Sequence, residues 1–148
     1  MPLAIYKERL YPSASFSIAL ALSGPMVLLA SLPFGTPLAI TLGLLVPLSL
    51  NVIIRLLAPE ITVADGQLVA GRISIPVRAL GKAWALGRAE FSQALGPDAD
   101  PRAQLMIRGY VSGGVKIEVA DSEDPTPYLL ISSRNPEKLA IALDANRT

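Results

Sequence analysis

The chain contains no cysteine and no histidine. Without thiols it has no disulfides, no zinc fingers and no cysteine nucleophile, and its redox compartment cannot be read from cysteine usage. Without imidazole it lacks the side chain most used for acid–base catalysis, metal ligation and pH sensing near neutrality. Aromatic residues make up 5% and charged residues 17% of the 148 positions, whereas about a quarter of a soluble domain is charged. The shortage is local, because no charged side chain lies between Arg9 and Arg55. A formal net charge of +1 leaves no basic footprint of the kind that nucleic acid requires. No motif for a cofactor or a metal is present.

The uncharged stretch contains two segments of spanning length. Pro12 to Leu32 and Pro37 to Leu57 each run 21 residues, Arg55 in the second being their only charge, and at 1.5 Å per residue each reaches about 30 Å, the thickness of a bilayer's hydrocarbon core. The "PFGT" between them has room only for a tight turn. A secretory signal is one rival for the first segment, but signal cores are shorter and lead into polar sequence, whereas a second apolar run follows here. A shallow hairpin entering and leaving one leaflet is another, because Pro25 and Pro47 interrupt both segments; proline is nonetheless tolerated in membrane helices. Lys7 and Arg9 precede the pair and Arg55 closes it, while the turn carries no charge, which places both termini in the cytoplasm.

From Glu60 the pattern changes to period two. Ile61 and Val63 alternate with polar positions, Asp65-Gly66 is a hairpin turn, and Ile73, Ile75 and Val77 oppose Arg72, Ser74 and Arg78. Pro76 points to an edge or a bulge. Further strands are expected around Trp84, at Gln104–Arg108, Val115–Ala120 and Tyr128–Ser133, with a short helix after Gly87. Asn135-Pro136-Glu137 opens a closing helix with an apolar stripe of Leu139, Ala140 and Leu143.

The expected organisation is a cytoplasmic segment 1–11, a transmembrane helical hairpin 12–57 (12–32 and 37–57), and a cytoplasmic α+β domain 58–148 that is mainly antiparallel β and ends in a helix at 135–146. Seven strands broken after the fourth and closed by a helix is the element order of pleckstrin-homology-like domains, a partly open barrel. This is a fold-level analogy and carries no function by itself.

Asp121, Glu123 and Asp124 form the densest carboxylate cluster. They fall between two alternating strands, where Asp, Ser and Pro serve turn geometry and solvation. A calcium loop needs a glycine at its bend and a bidentate Glu near its twelfth position, and neither is in place. The basic residues are asymmetric: Arg55, Arg72, Arg78, Lys82 and Arg88 outnumber two acids up to Arg88, while six basic residues face nine acids after it. These five are candidates for contact with anionic headgroups or a protein partner; the alternative is the wet face of ordinary strands.

The stretches "YKERL", "VADGQLVAGRISIPV", "ALGPDADP" and "VKIEVADSEDPTPYLLISSRNPEKLAIAL" resemble the actinobacterial membrane proteins grouped as domain of unknown function 3093. The resemblance runs from Tyr6 to Leu143 and departs from the family's usual pattern at Leu129 and Asn135. It implies a two-span plasma-membrane protein with a cytoplasmic tail and implies no activity. Three functions remain open. One is a non-enzymatic, membrane-tethered binding or scaffolding module; another is an accessory subunit of a larger membrane complex joined through the helices. The third is a membrane-surface enzyme using Ser112 or Ser132 with Lys116, or Glu118 or Asp121 as an acid. The implied partners are the lipid bilayer and a protein.

Overall fold

Alternation of apolar and polar residues after Glu60 builds two β-sheets, and the uncharged stretch before it builds helices. The computed structural model describes residues 5–147; residues 1–4 of the expected N-terminal segment, and Thr148, lie outside the described residues. Two units are present: a helical one, Tyr11–Ala58, and a β unit that combines the residues up to Leu10 with those from Pro59 onward.

In the helical unit α1 (Ala14–Ala21) and α2 (Ser23–Ser31) run on through a 3-10 turn at Leu32–Phe34, and α3 spans Thr36–Leu56. Ala14–Phe34 and Thr36–Leu56 are each long and apolar enough to cross a membrane, with mean hydropathies of 1.8 and 2.1. Only 11% and 17% of their most apolar windows are buried, so Met26, Leu44 and Leu48 face outward. The break at Leu22 has a local cause. Pro25 has no N–H for the carbonyl four residues back and its ring crowds that turn, while the Ser23 hydroxyl donates to the Leu20 carbonyl at 2.6 Å. Pro47 stays within α3, where it frees the Gly43 carbonyl. That carbonyl lies against Gly24 of α2: a Cβ added at Gly24 would sit 2.7 Å from it. The two helices approach backbone to backbone at a site where only glycine fits.

The first sheet is antiparallel throughout, in the order β1 (Tyr6–Arg9), β2 (Glu60–Ala64), β3 (Gln67–Ala70), β4 (Ile73–Pro76). Asp65 (φ 50°) and Gly66 (φ 71°) make the turn with the left-handed backbone a two-residue hairpin requires. Pro76 is on the edge strand, where its missing N–H breaks no ladder. The second sheet is ordered β5 (Leu80–Leu86), β7 (Gly114–Val119), β8 (Tyr128–Ser132), β6 (Gln104–Met106), with β6 parallel to β8 and the other pairs antiparallel. β8 is buried along its whole length. Leu129 and Ile131 join the main core with Val115, Ile117, Ile61 and Leu68, while Tyr128 and Leu130 are covered by Phe91 and Ala94 of α4 (Arg88–Leu95). Each buried Leu or Ile contributes about 1.5–3 kcal/mol. The last helix, α5 (Pro136–Ala145), buries Leu139, Ala142 and Leu143. Asn135 stands at its N-cap position but makes no capping bond through its side chain.

The strand count departs from the expected seven: there are eight, in two sheets, and no closed barrel forms among the described residues. The extra strand is Tyr6–Arg9, expected as a plain segment before the helices. It pairs with β2 in the register Tyr6↔Val63 to Arg9↔Glu60, so the β unit begins before the helices and resumes after them. Its polar residues fasten it. Glu8 Oε2 accepts from the Tyr6 hydroxyl at 2.7 Å and from the buried Ser133 hydroxyl at 2.6 Å, and Oε1 accepts from the Arg134 N–H at 2.8 Å. Lys7 pairs with Glu60 at 3.1 Å, and this contact holds the Glu60 carboxyl below its ordinary range.

Burial, with the Glu8 carboxylate beside it, pushes the Tyr6 phenol up to about 12 despite the opposing bond to Ser133. An unfolded tyrosine ionises near pH 10, so the stabilisation from neutral Tyr6 is complete below that pH and is lost as pH climbs towards 12. In a phenolate absorbance titration one of the four tyrosines should ionise last, and Tyr6→Phe should delete that step. Gly24→Leu should part the helices and lower stability in detergent micelles by about 1–3 kcal/mol; an unchanged denaturation midpoint would contradict the close crossing.

Candidate functional site

Leu10 and Pro59, the residues of the β unit next to the helical segment in sequence, are neighbours. Leu10 N–H donates to the Pro59 carbonyl at 2.9 Å. The rim around them is built from two further places in the chain. Gly71, in the β3–β4 turn, donates its N–H to the Glu60 carbonyl at 3.1 Å, and the Tyr110 hydroxyl, between β6 and β7, donates to the Leu10 carbonyl at 2.9 Å.

Beside this rim lies a cleft of about 560 Å³ between the β3–β4 turn and β6, with Arg72 and Arg108 among its walls and Ile73, Leu105 and Ile107 supplying apolar surface. No carboxylate lines it. Leu105 is 52% exposed. Arg108 is half-buried and held at two points: its N–H donates to the Ser132 hydroxyl at 2.9 Å and its guanidinium to the Ile107 carbonyl at 3.2 Å. Arg72 is exposed in its turn. Two positive charges, one held and one exposed, beside apolar walls suit an amphiphile with an anionic head.

Of the five basic residues singled out in the sequence, only Arg72 reaches this cleft. Arg88 lines a second hollow of about 490 Å³ with Arg134, Tyr110 and Ser112. Arg78 follows β4 at the opposite end of the first sheet, beside the Asp65–Gly66 turn, where Val77 N–H meets the Gly66 carbonyl at 2.8 Å. Lys82 lies over the Trp84 ring at 5.5 Å, and Arg55 is exposed in the last turn of α3. Arg108 was missed. Its only signal was its place at the end of an expected strand, and its partner comes from a distant turn.

The hydroxyl and amine groups considered for catalysis are engaged separately. Ser132 is fully buried under the Arg108 N–H, Lys116 lies over the Tyr128 ring at 4.3 Å, and Ser112 is exposed. Two of the three acids of the β7–β8 connection, Asp121 and Asp124, serve their own turn. Asp121 Oδ1 accepts from Glu123 N–H at 3.0 Å and Asp124 Oδ1 from Thr126 N–H at 2.8 Å. Hydrogen bonding from Thr126 lowers the Asp124 pKa. Among the described residues no group of three or more acids is placed to hold a cation. In the helical unit a cleft of about 650 Å³ runs past Gly24, Leu28, Gly43 and Pro47 to Asn51, whose amide donates to the Pro47 carbonyl at 3.0 Å.

Residues 5–143 match the model of the family described as protein of unknown function (DUF3093), so the chain belongs to that family. No curated protein and no solved structure matches it.

Ser132→Ala leaves the Arg108 N–H without its acceptor. An unmet donor in a half-buried position costs about 1–3 kcal/mol. Faster amide exchange at Arg108 and a lower unfolding midpoint are expected, and unchanged values for both would rule out Ser132 as the residue that holds Arg108 in place.

Proposed function

We propose that this member of the DUF3093 family is a two-span protein of the plasma (inner) membrane whose β unit is a non-enzymatic binding module held at the cytoplasmic surface. One observation carries the reading: the strand before the first apolar helix and the strand after the last are hydrogen-bonded neighbours in one sheet. Strands that pair must share a compartment, so a chain that crosses between them crosses an even number of times. Cleavage after the first helix would detach β1 from the rest of the chain, which argues against a signal peptide. Lys7, Arg9 and Arg55 flank the hairpin while its turn is uncharged, and the positive-inside tendency then puts the β unit in the cytoplasm.

The outward apolar surface of the helices supports lipid as their surroundings, since unpaired apolar area of that size is costly in water. The pleckstrin-homology-like reading of the β unit has the support of two four-stranded sheets followed by a helix; the strand contributed from before the helices and the parallel β6 are its departures. The separate engagement of Ser132 and Lys116 supports a binding role over catalysis.

Because the chain has no native cysteine, single-cysteine variants report topology cleanly. In intact cells Phe34→Cys, at the exposed hairpin turn, should react with a membrane-impermeant maleimide, and Asp65→Cys should react only after lysis. Equal labelling of both before lysis would refute the two-span arrangement.

A further inference from the structure

We infer that the cleft between Arg72 and Arg108 is a binding site for an anionic phospholipid of the leaflet that faces the β unit. The inference rests on the two-span reading above. It names what the module binds first: the membrane's own phosphate groups.

Charge is the first argument. Two arginines and no carboxylate line the cleft, and Glu60, whose carbonyl accepts from Gly71 at the cleft edge, is paired through its carboxylate with Lys7 at 3.1 Å. Guanidinium groups present planar sets of N–H donors that match phosphate oxygens, often two at a time. Ser132 fixes the Arg108 backbone N–H and the Ile107 carbonyl holds its guanidinium, and this second contact reduces the side-chain entropy lost when an anion is taken up.

Shape and polarity supply the second argument. Ile73, Leu105 and Ile107 line the same cleft, and Leu105 leaves half its surface exposed. A free phosphate would gain nothing from these walls. A glycerophospholipid would place its phosphate on the arginines and its glycerol and first methylenes against the apolar residues.

Chain connectivity supplies the third. α3 ends at Leu56 and the β unit resumes at Pro59. Gly71, which turns the chain into Arg72, is hydrogen-bonded to Glu60, the residue after Pro59. In a spanning chain the residues that directly follow an apolar helix in sequence emerge among the headgroups, where basic side chains meet anionic lipid.

The test uses the full chain in maltoside micelles with a single fluorophore on Gln104→Cys, an exposed position next to Leu105. The probes are dioleoylphosphatidylglycerol and dioleoylphosphatidylcholine. Half-saturation should fall at about thirty-fold lower concentration for the phosphatidylglycerol, the preference two near-surface cations supply. Arg72→Gln, a change on an exposed turn that leaves the fold intact, should remove about fivefold of it, and Arg72→Gln with Arg108→Gln should abolish it. Equal response to both lipids, a preference that survives the double substitution, or an identical response to inorganic phosphate at matched concentration would each overturn the assignment. A cleft built for an extended peptide would give the first of these. The micelle titration does not depend on how often the chain crosses a bilayer, and the maleimide labelling does not depend on the cleft, so a failure of either proposal is identified separately.

Discussion

The pairing of β1 with β2 is the constraint on which the rest of the molecule depends. It closes a chain loop that contains the whole helical unit, Tyr11–Ala58, and closing a flexible loop of that length costs about 3 kcal/mol in chain entropy beyond a constant term. An antiparallel helical hairpin with a one-residue turn at Gly35 brings its two ends back together and removes most of that cost. The four-residue strand then needs only its ladder, the Lys7–Glu60 pair and the Glu8 network with Ser133 and Arg134 to stay in place. Strand and helices therefore support one another: the hairpin lowers the entropic cost of the pairing, and the pairing keeps Leu10 and Pro59, the residues that flank the helical segment, side by side.

The two units answer to different packing rules. The β unit has an internal core, with Ile61, Leu68, Ile117, Leu129 and Ile131 fully buried. The helices bury little beyond the contact between them, and that contact uses the smallest residues available. Pro47 withdraws an N–H from the Gly43 carbonyl, and the backbone of Gly24 lies against the carbonyl left free. Where hydrocarbon surrounds a helix pair, close backbone approach replaces the hydrophobic drive that holds soluble helices together.

Polar chemistry on the β unit is divided by position. Asp121 and Asp124 of the β7–β8 connection accept from the backbone of their own turn, and Lys82 and Lys116 lie on aromatic faces. The arginines at the rim that carries Leu10 and Pro59 have apolar walls beside them and no acid in their cleft. The recess they line is positively charged and partly apolar.

Much of this was legible in the residues alone. Two uncharged runs of helical length, the Asp65-Gly66 turn, the alternation in Ile61–Val63 and Val115–Val119, and the Pro136 helix start are local signals, set by backbone geometry and side-chain period, and the structure contains each of them. The family assignment likewise rests on sequence. What only the tertiary structure decided were pairings between distant segments. Tyr6–Arg9 is too short and too charged to announce a strand, and it is one because β2 offers an open edge and Ser133 and Arg134 offer partners for Glu8. β6 lies parallel to β8 because the chain passes through α4 before it returns. Arg72 and Arg108 share a cleft because two sheet edges meet there. Local pattern determines which elements form; long-range packing alone determines which side chains face each other across the gap between them, and in this protein the candidate site lies in such a gap.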